Sequence, residues 1–182
     1  MVEESSDPTE QRDEHAYVLN IIDKATQAAH AISRAELMRA LSECEPEVII
    51  DAARETLEQD NLERQKTALE SIFYISKDAA HFRDGILLLL EVLKSTDEGL
   101  ILESMNILTR LEIEGLSDPF IHLAKHTSRK VRKAVSFALA SQSTQKATKA
   151  LVELSQDPTN EVRLWALHHC HQLANHGRAE LK

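Results

Sequence analysis

The stretch Leu151-Val152-Glu153-Leu154-Ser155-Gln156-Asp157-Pro158-Thr159-Asn160-Glu161-Val162-Arg163-Leu164-Trp165-Ala166-Leu167 holds two short apolar stripes with a polar turn between them. A shift of 31 residues lays Val131-Arg132-Lys133-Ala134-Val135 on Val162-Arg163-Leu164-Trp165-Ala166. The same shift places Phe120 on Leu151, Leu123 on Leu154 and Leu139 on Cys170. Further back, a shift near 30 sets Leu90 and Leu93 on the Phe120 and Leu123 positions and Ile101 on Val131. A closed helix bundle and a row of stacked hairpins share a composition, but only the row shows a period.

Working outward, apolar residues recur three and four apart, as in Leu62, Leu69, Ile72 and Ile75, which is the mark of amphipathic helices. Start and stop signals predict about ten of them, near 14–32, 34–44, 47–58, 61–77, 82–95, 98–113, 119–126, 129–141, 144–156 and 160–175, paired into five hairpins. Pro46 reads as Pro in a first helical turn, and Asp118-Pro119 as an N-cap followed by Pro at the first helical position. Ser33 with Glu36 forms a capping box, and Asn61 and Asn160 precede helices as caps. The run Ile86 to Leu93 is apolar nearly all round, as in a helix covered on several sides. The last helix sets Arg163, His168, His171 and Gln172 outside a stripe of Val162, Ala166, His169 and Leu173, which suits a terminal cap.

Composition agrees. The 182 residues are 42% hydrophobic, enough for a core, and contain only four Gly and four Pro, too few for a turn-rich β architecture. Residues 1–12 are acidic and polar and read as a flexible tail, leaving 13–182 as a single helical domain. The longest apolar run is the five residues Ile86 to Leu90, far short of a bilayer span, and no leader precedes the two widely separated cysteines, Cys44 and Cys170. The expected setting is the cytoplasm.

Residues 151–167 resemble a HEAT repeat, in which a first helix ends at an Asp-Pro turn and a second opens with Val-Arg, and residues 120–140 look like a second copy. The resemblance implies an all-α fold, a short right-handed superhelix of about five hairpins whose second helices line a concave binding surface. It also implies a structural ladder between repeats in which Asp157 and Arg163, six apart, take part, with Arg132 kept in the preceding unit although His126 replaces its Asp. Asp97 is present one unit earlier, where Glu103 stands in the Arg position.

Charge is divided unevenly. Residues 1–118 carry 11 Lys and Arg against 26 Asp and Glu, whereas 119–182 carry 10 against 4. Between Pro119 and Val152 lie Lys125, Arg129, Lys130, Arg132, Lys133, Lys146 and Lys149 with no acidic residue. Such a ridge suits an acidic protein segment, a phosphate or a nucleic acid; the plain alternative is a solvated face with Arg132 committed to packing between repeats. Nucleic acid is disfavoured by the net charge of −9 and the 4% aromatic content. Phe137 and Trp165 flank the apolar stripes of their helices, and Trp is a common interface anchor. His122 with His126, and His168 with His171, could each supply two metal ligands but show no third. Cys44 stands beside Glu43 and Glu45, which disfavour a thiolate, and Cys170 occupies a core position. Paired carboxylates such as Glu112 and Glu114 read as helix surface.

The residues therefore point to a non-catalytic protein-binding scaffold or adaptor without cofactor or metal. Its contacts would be Arg129, Lys130, Lys133, Lys146, Phe137 and Trp165, with Asp157, Arg163 and Arg132 holding repeats together. Two alternatives follow from the resemblance alone. One is a HEAT-like protein of the bilin-lyase kind, acting in chromophore attachment; the other is a HEAT-like DNA glycosylase.

Overall fold

The computed structural model describes residues 8–75, 81–142 and 144–179, and all regular structure among them is helical. Ten α-helices follow in the expected order: α1 (Pro8–Gln27), α2 (Ala31–Arg39), α3 (Pro46–Leu57), α4 (Leu62–Ser71), α5 (Phe82–Val92), α6 (Glu98–Arg110), α7 (Ser117–Leu123), α8 (Arg129–Ala140), α9 (Gln145–Leu154) and α10 (Asn160–Ala179). The chain divides into two compact units, Met1–Glu91 and Val92–Lys182. Of the expected acidic tail, residues 1–7 lie outside the described residues, and Pro8 onward is already helix.

In the first unit α1 packs on α2, α3 and α4, and α3 pairs with α4. Val18, Ile21, Ile22 and Ala25 of α1 are buried, as are Val48, Ile49, Ile50, Ala52 and Ala53 of α3. Pro46 opens α3, and Asn61 caps α4 by accepting the Arg64 amide at 3.1 Å. The capping box is not used: α2 begins at Ala31 after His30, with Ser33 and Glu36 inside the helix. The buried stripe of α1 stops at Ala25 and nothing between 26 and 37 is buried, so packing, rather than the cap pair, sets the break. Arg34 instead ties α2 to α4 through Glu70, at 2.9 and 2.7 Å, and Thr67, at 3.0 Å. Gly85 brings α5 close to the turn at Ile72–Tyr74, because a Cβ there would lie 2.8 Å from Ile72 Cγ2.

The second unit is two layers. The second helices α6, α8 and α10 pack side by side, and α7 and α9 pack against each other and against α8. The fully buried Phe120, Val131, Val135, Leu139 and Leu151 fill the space between the layers. Asp97 caps α6 by accepting the Leu100 amide at 3.0 Å. Asp118 is not the N-cap of α7: the helix begins at Ser117, which leaves the Asp118 carboxylate to Lys146 at 2.9 Å.

The link from α6 to α7 carries two left-handed residues, Glu112 (φ 52) and Gly115 (φ 84). Buried Gln142, just past α8, holds it: Oε1 accepts the Leu116 amide and Nε2 donates to the Ile113 carbonyl, both at 2.9 Å. Gln142→Ala leaves these two main-chain groups without partners and is expected to cost about 2–3 kcal/mol. Faster amide exchange at Leu116 together with a lower urea midpoint would show it.

Candidate partner-binding groove on the second unit

Local turn chemistry places the site. Asp157 Oδ1 accepts the Thr159 amide at 2.8 Å, and 31 residues earlier His126 Nδ1 accepts the Ser128 amide at 3.0 Å, so the histidine replaces the aspartate as turn cap. Arg163 Nη1 donates to the carbonyls of Asp157 (2.8 Å) and Pro158 (3.0 Å), and Arg132 Nη1 to those of His126 (2.8 Å) and Thr127 (2.9 Å). The period seen in the sequence is thus repeated bond for bond. The remaining edge of Arg132 reaches the next hairpin: Nε donates to Asp157 Oδ2 at 2.7 Å and Nη2 to Oδ1 at 3.1 Å. The Asp157 carboxylate therefore pairs with Arg132, while Arg163 meets Asp157 through its main chain. Both side chains are nearly buried, and the guanidinium holds the Asp157 carboxyl below the usual aspartate range.

This pairing ties α8 to the turn that precedes α10. Arg129, Lys130, Lys133, Ala134, Phe137 and Glu161 line an open groove of about 470 Å³. Ala134 and Phe137 are shared with a hollow of about 290 Å³ that also takes in Leu102, Met105, Asn106 and Thr109 of α6. Trp165 lies against Phe137, with ring centroids 4.7 Å apart and tilted by 45°, and stacks on His169 at 5.9 Å. Lys133 Nζ stands 5.7 Å above the indole. Lys146 does not line the groove and instead bonds Asp118 across the α7–α9 pair.

The ridge is balanced by local acids. Lys133 meets Glu161 at 2.6 Å and Lys130 meets Glu98 at 3.1 Å. Hydrogen bonds from Ser128 and Lys130 lower the Glu98 pKa, and the bond from Lys133 lowers that of Glu161. His169 is buried with Nδ1 on Gln172 at 3.2 Å, and desolvation keeps its pKa below the ordinary imidazole value.

Residues 86–169 match the family described as HEAT repeats. Over that stretch the chain is similar to HEAT repeats. Solved structures agree on the fold. A chain in the Pds5–Scc1 complex is similar over 88% of this chain and 29% of its own length, at 15% identity and a TM-score of 0.66. A designed armadillo repeat protein in complex with the peptide (KR)4 is similar over 93% and 95%, at 15% identity and 0.54. An engineered protein is similar over 84% and 77%, at 20% identity and 0.50. The chain thus spans under a third of the cohesin-complex chain that it resembles. No curated protein matches it in sequence.

The other expected candidates separate. His122 is exposed on α7, while His126 is engaged in its turn. Among the described residues no three His, Cys, Asp or Glu side chains are grouped to hold a metal ion. Cys44 and Cys170 are free, and burial raises both thiols, Cys44 to about 11 with Glu14 and Glu43 adding to the shift. No helix among the described residues is long and apolar enough to cross a membrane. Sequence reading missed Leu102, Asn106 and Thr109 as groove residues. Their spacing of four and three on α6 is the available signal, the flank of that helix beside its buried Ile101, Met105 and Leu108.

Proposed function

We propose that the chain is a cytoplasmic, non-catalytic adaptor that holds an acidic segment of a partner protein in the groove formed by α6, α8 and α10. The convergence of Arg129, Lys130, Lys133 and Phe137 on one groove, with Trp165 packed against Phe137, carries this reading. The lysine pairs with Glu98 and Glu161 are exposed, and water and salt screen such pairs, so incoming carboxylates exchange with them at little cost. The two rings supply the apolar anchor that interfaces concentrate in a few residues. The designed armadillo relative binds a basic peptide; here the groove cations reverse the sign of the ligand. Two free cysteines suit a reducing compartment. The alternatives of chromophore attachment and DNA repair gain no support from this geometry.

Trp165 is the single tryptophan and touches the groove residues Phe137 and Lys133, so its emission reports on their surroundings. Titration with a deca-glutamate peptide ending in Phe is expected to shift that emission, with binding that weakens as salt is added. The Arg129→Glu, Lys133→Glu double variant is expected to bind at least about tenfold more weakly. Equal affinity of variant and natural chain, or binding indifferent to salt, would remove the groove from the account.

A further inference from the structure

The 31-residue register allows a covered hairpin face to be compared with its uncovered counterpart. The α7–α8 hairpin is packed on by α9 and α10, and there Ser136 is fully buried and Ile121 half-buried. Their counterparts one unit on are Leu167, 52% exposed, and Val152, 55% exposed. Lys133, which reaches across to Glu161, corresponds to Leu164, 58% exposed. The outer face of α9–α10 is therefore more apolar than the equivalent face that is already covered. Leu164 and Leu167 lie one turn apart on α10, with Val152 contributed by α9.

Charge on this face has the same logic. The main-chain bonds that orient Arg163 are those that orient Arg132. In Arg132 that anchoring turns the Nε and Nη2 edge toward the aspartate of the next hairpin. Arg163 Nη2 meets only the Asn160 amide oxygen, at 3.2 Å, and no carboxylate among the described residues pairs with it. Among the described residues no segment turns back over this face. Helix α8 stops at Ala140 and turns into α9, whereas α10 continues past the equivalent His171 to Ala179.

We infer that the outer face of α9–α10 docks a helical hairpin of another protein that carries a carboxylate in the turn between its helices, with Arg163 as the ionic contact and Val152, Leu164 and Leu167 as the apolar one. This surface is separate from the α6–α8–α10 groove, and its test does not depend on that reading.

The probe is a second α9–α10 hairpin, residues 144–174, joined to Lys182 of the full chain by a flexible Gly/Ser linker of about 15 residues, which holds it at millimolar effective concentration. Docking is expected to raise the helicity of the tethered segment and to slow its cleavage by thermolysin. Leu167→Glu in the body of the chain is expected to restore cleavage by about tenfold, and the Asp-to-Asn change in the tethered copy by several-fold, because cleavage follows the undocked population. Leu167 is exposed, so its variant leaves the host fold intact, which far-ultraviolet circular dichroism of the untethered chain checks. Equal cleavage with and without Leu167→Glu overturns the inference. So does sedimentation of the untethered natural chain as a dimer that Leu167→Glu abolishes, which would assign the face to a second copy.

Discussion

Replacing Arg132 with Ala is expected to lower the stability of the second unit by about 3 kcal/mol, read as a shift in the urea midpoint followed by Trp165 emission. Arg132 donates two hydrogen bonds to the Asp157 carboxylate, two to the carbonyls of His126 and Thr127, and one to Thr159 at 3.2 Å. Removing it strands a nearly buried carboxylate and two turn carbonyls together. Asp157→Asn is expected to cost less, since the amide still accepts from the Thr159 amide and the guanidinium keeps its carbonyl partners. The two changes combined should cost clearly less than their sum, because they remove the same interaction.

The pair also predicts an acid dependence. The folded pKa of Asp157 is lowered, chiefly by the Arg132 hydrogen bond. A carboxylate of that kind contributes stability that is complete above its unfolded pKa of about 3.9 and is lost as pH falls through the folded value. The natural chain should therefore lose this increment below about pH 4. The gap between natural chain and Arg132→Ala should narrow between neutral pH and about pH 3; a constant gap would contradict the assignment.

Phe120→Ala is expected to have the largest effect of any single change, about 3–5 kcal/mol. Among the described residues Phe120 is the largest fully buried side chain, and it stands where α7, α8 and α9 meet. A seven-residue helix offers little backbone to close the gap, so the cavity stays open and its surrounding atoms lose contact. At the equivalent position Leu151→Ala should cost about 2–5 kcal/mol, again measured as a urea midpoint. Phe120→Leu, which keeps most of the volume, should recover most of the loss.

How much of the site was legible varies residue by residue. The 31-residue period located both arginines and both turns, and their identical main-chain bonds follow from it. The partner of the Asp157 carboxylate did not: within one repeat Arg163 is near in sequence, but only stacking shows that Arg132, 25 residues away, is the one facing it. The basic run on α8 was plain, yet its neutralisation by Glu98 and Glu161 depends on the approach of α6 and α10. Lys146 belongs to the same run and faces Asp118 because α9 lies beside α7. Gln142 carries no signal in the repeat pattern, yet its side chain holds the α6–α7 loop.

Local chemistry by itself determined that this chain is a series of helices with a repeating unit, because periodic apolar residues, Asn61 as a cap and the scarcity of Gly and Pro act within a few residues of one another. Which start signals are used, which charges remain available and which apolar residues face outward were decided only by tertiary structure. Those outcomes depend on burial and on partners 25 or more positions apart, and no local spacing encodes the distance between two side chains that meet across a helix interface.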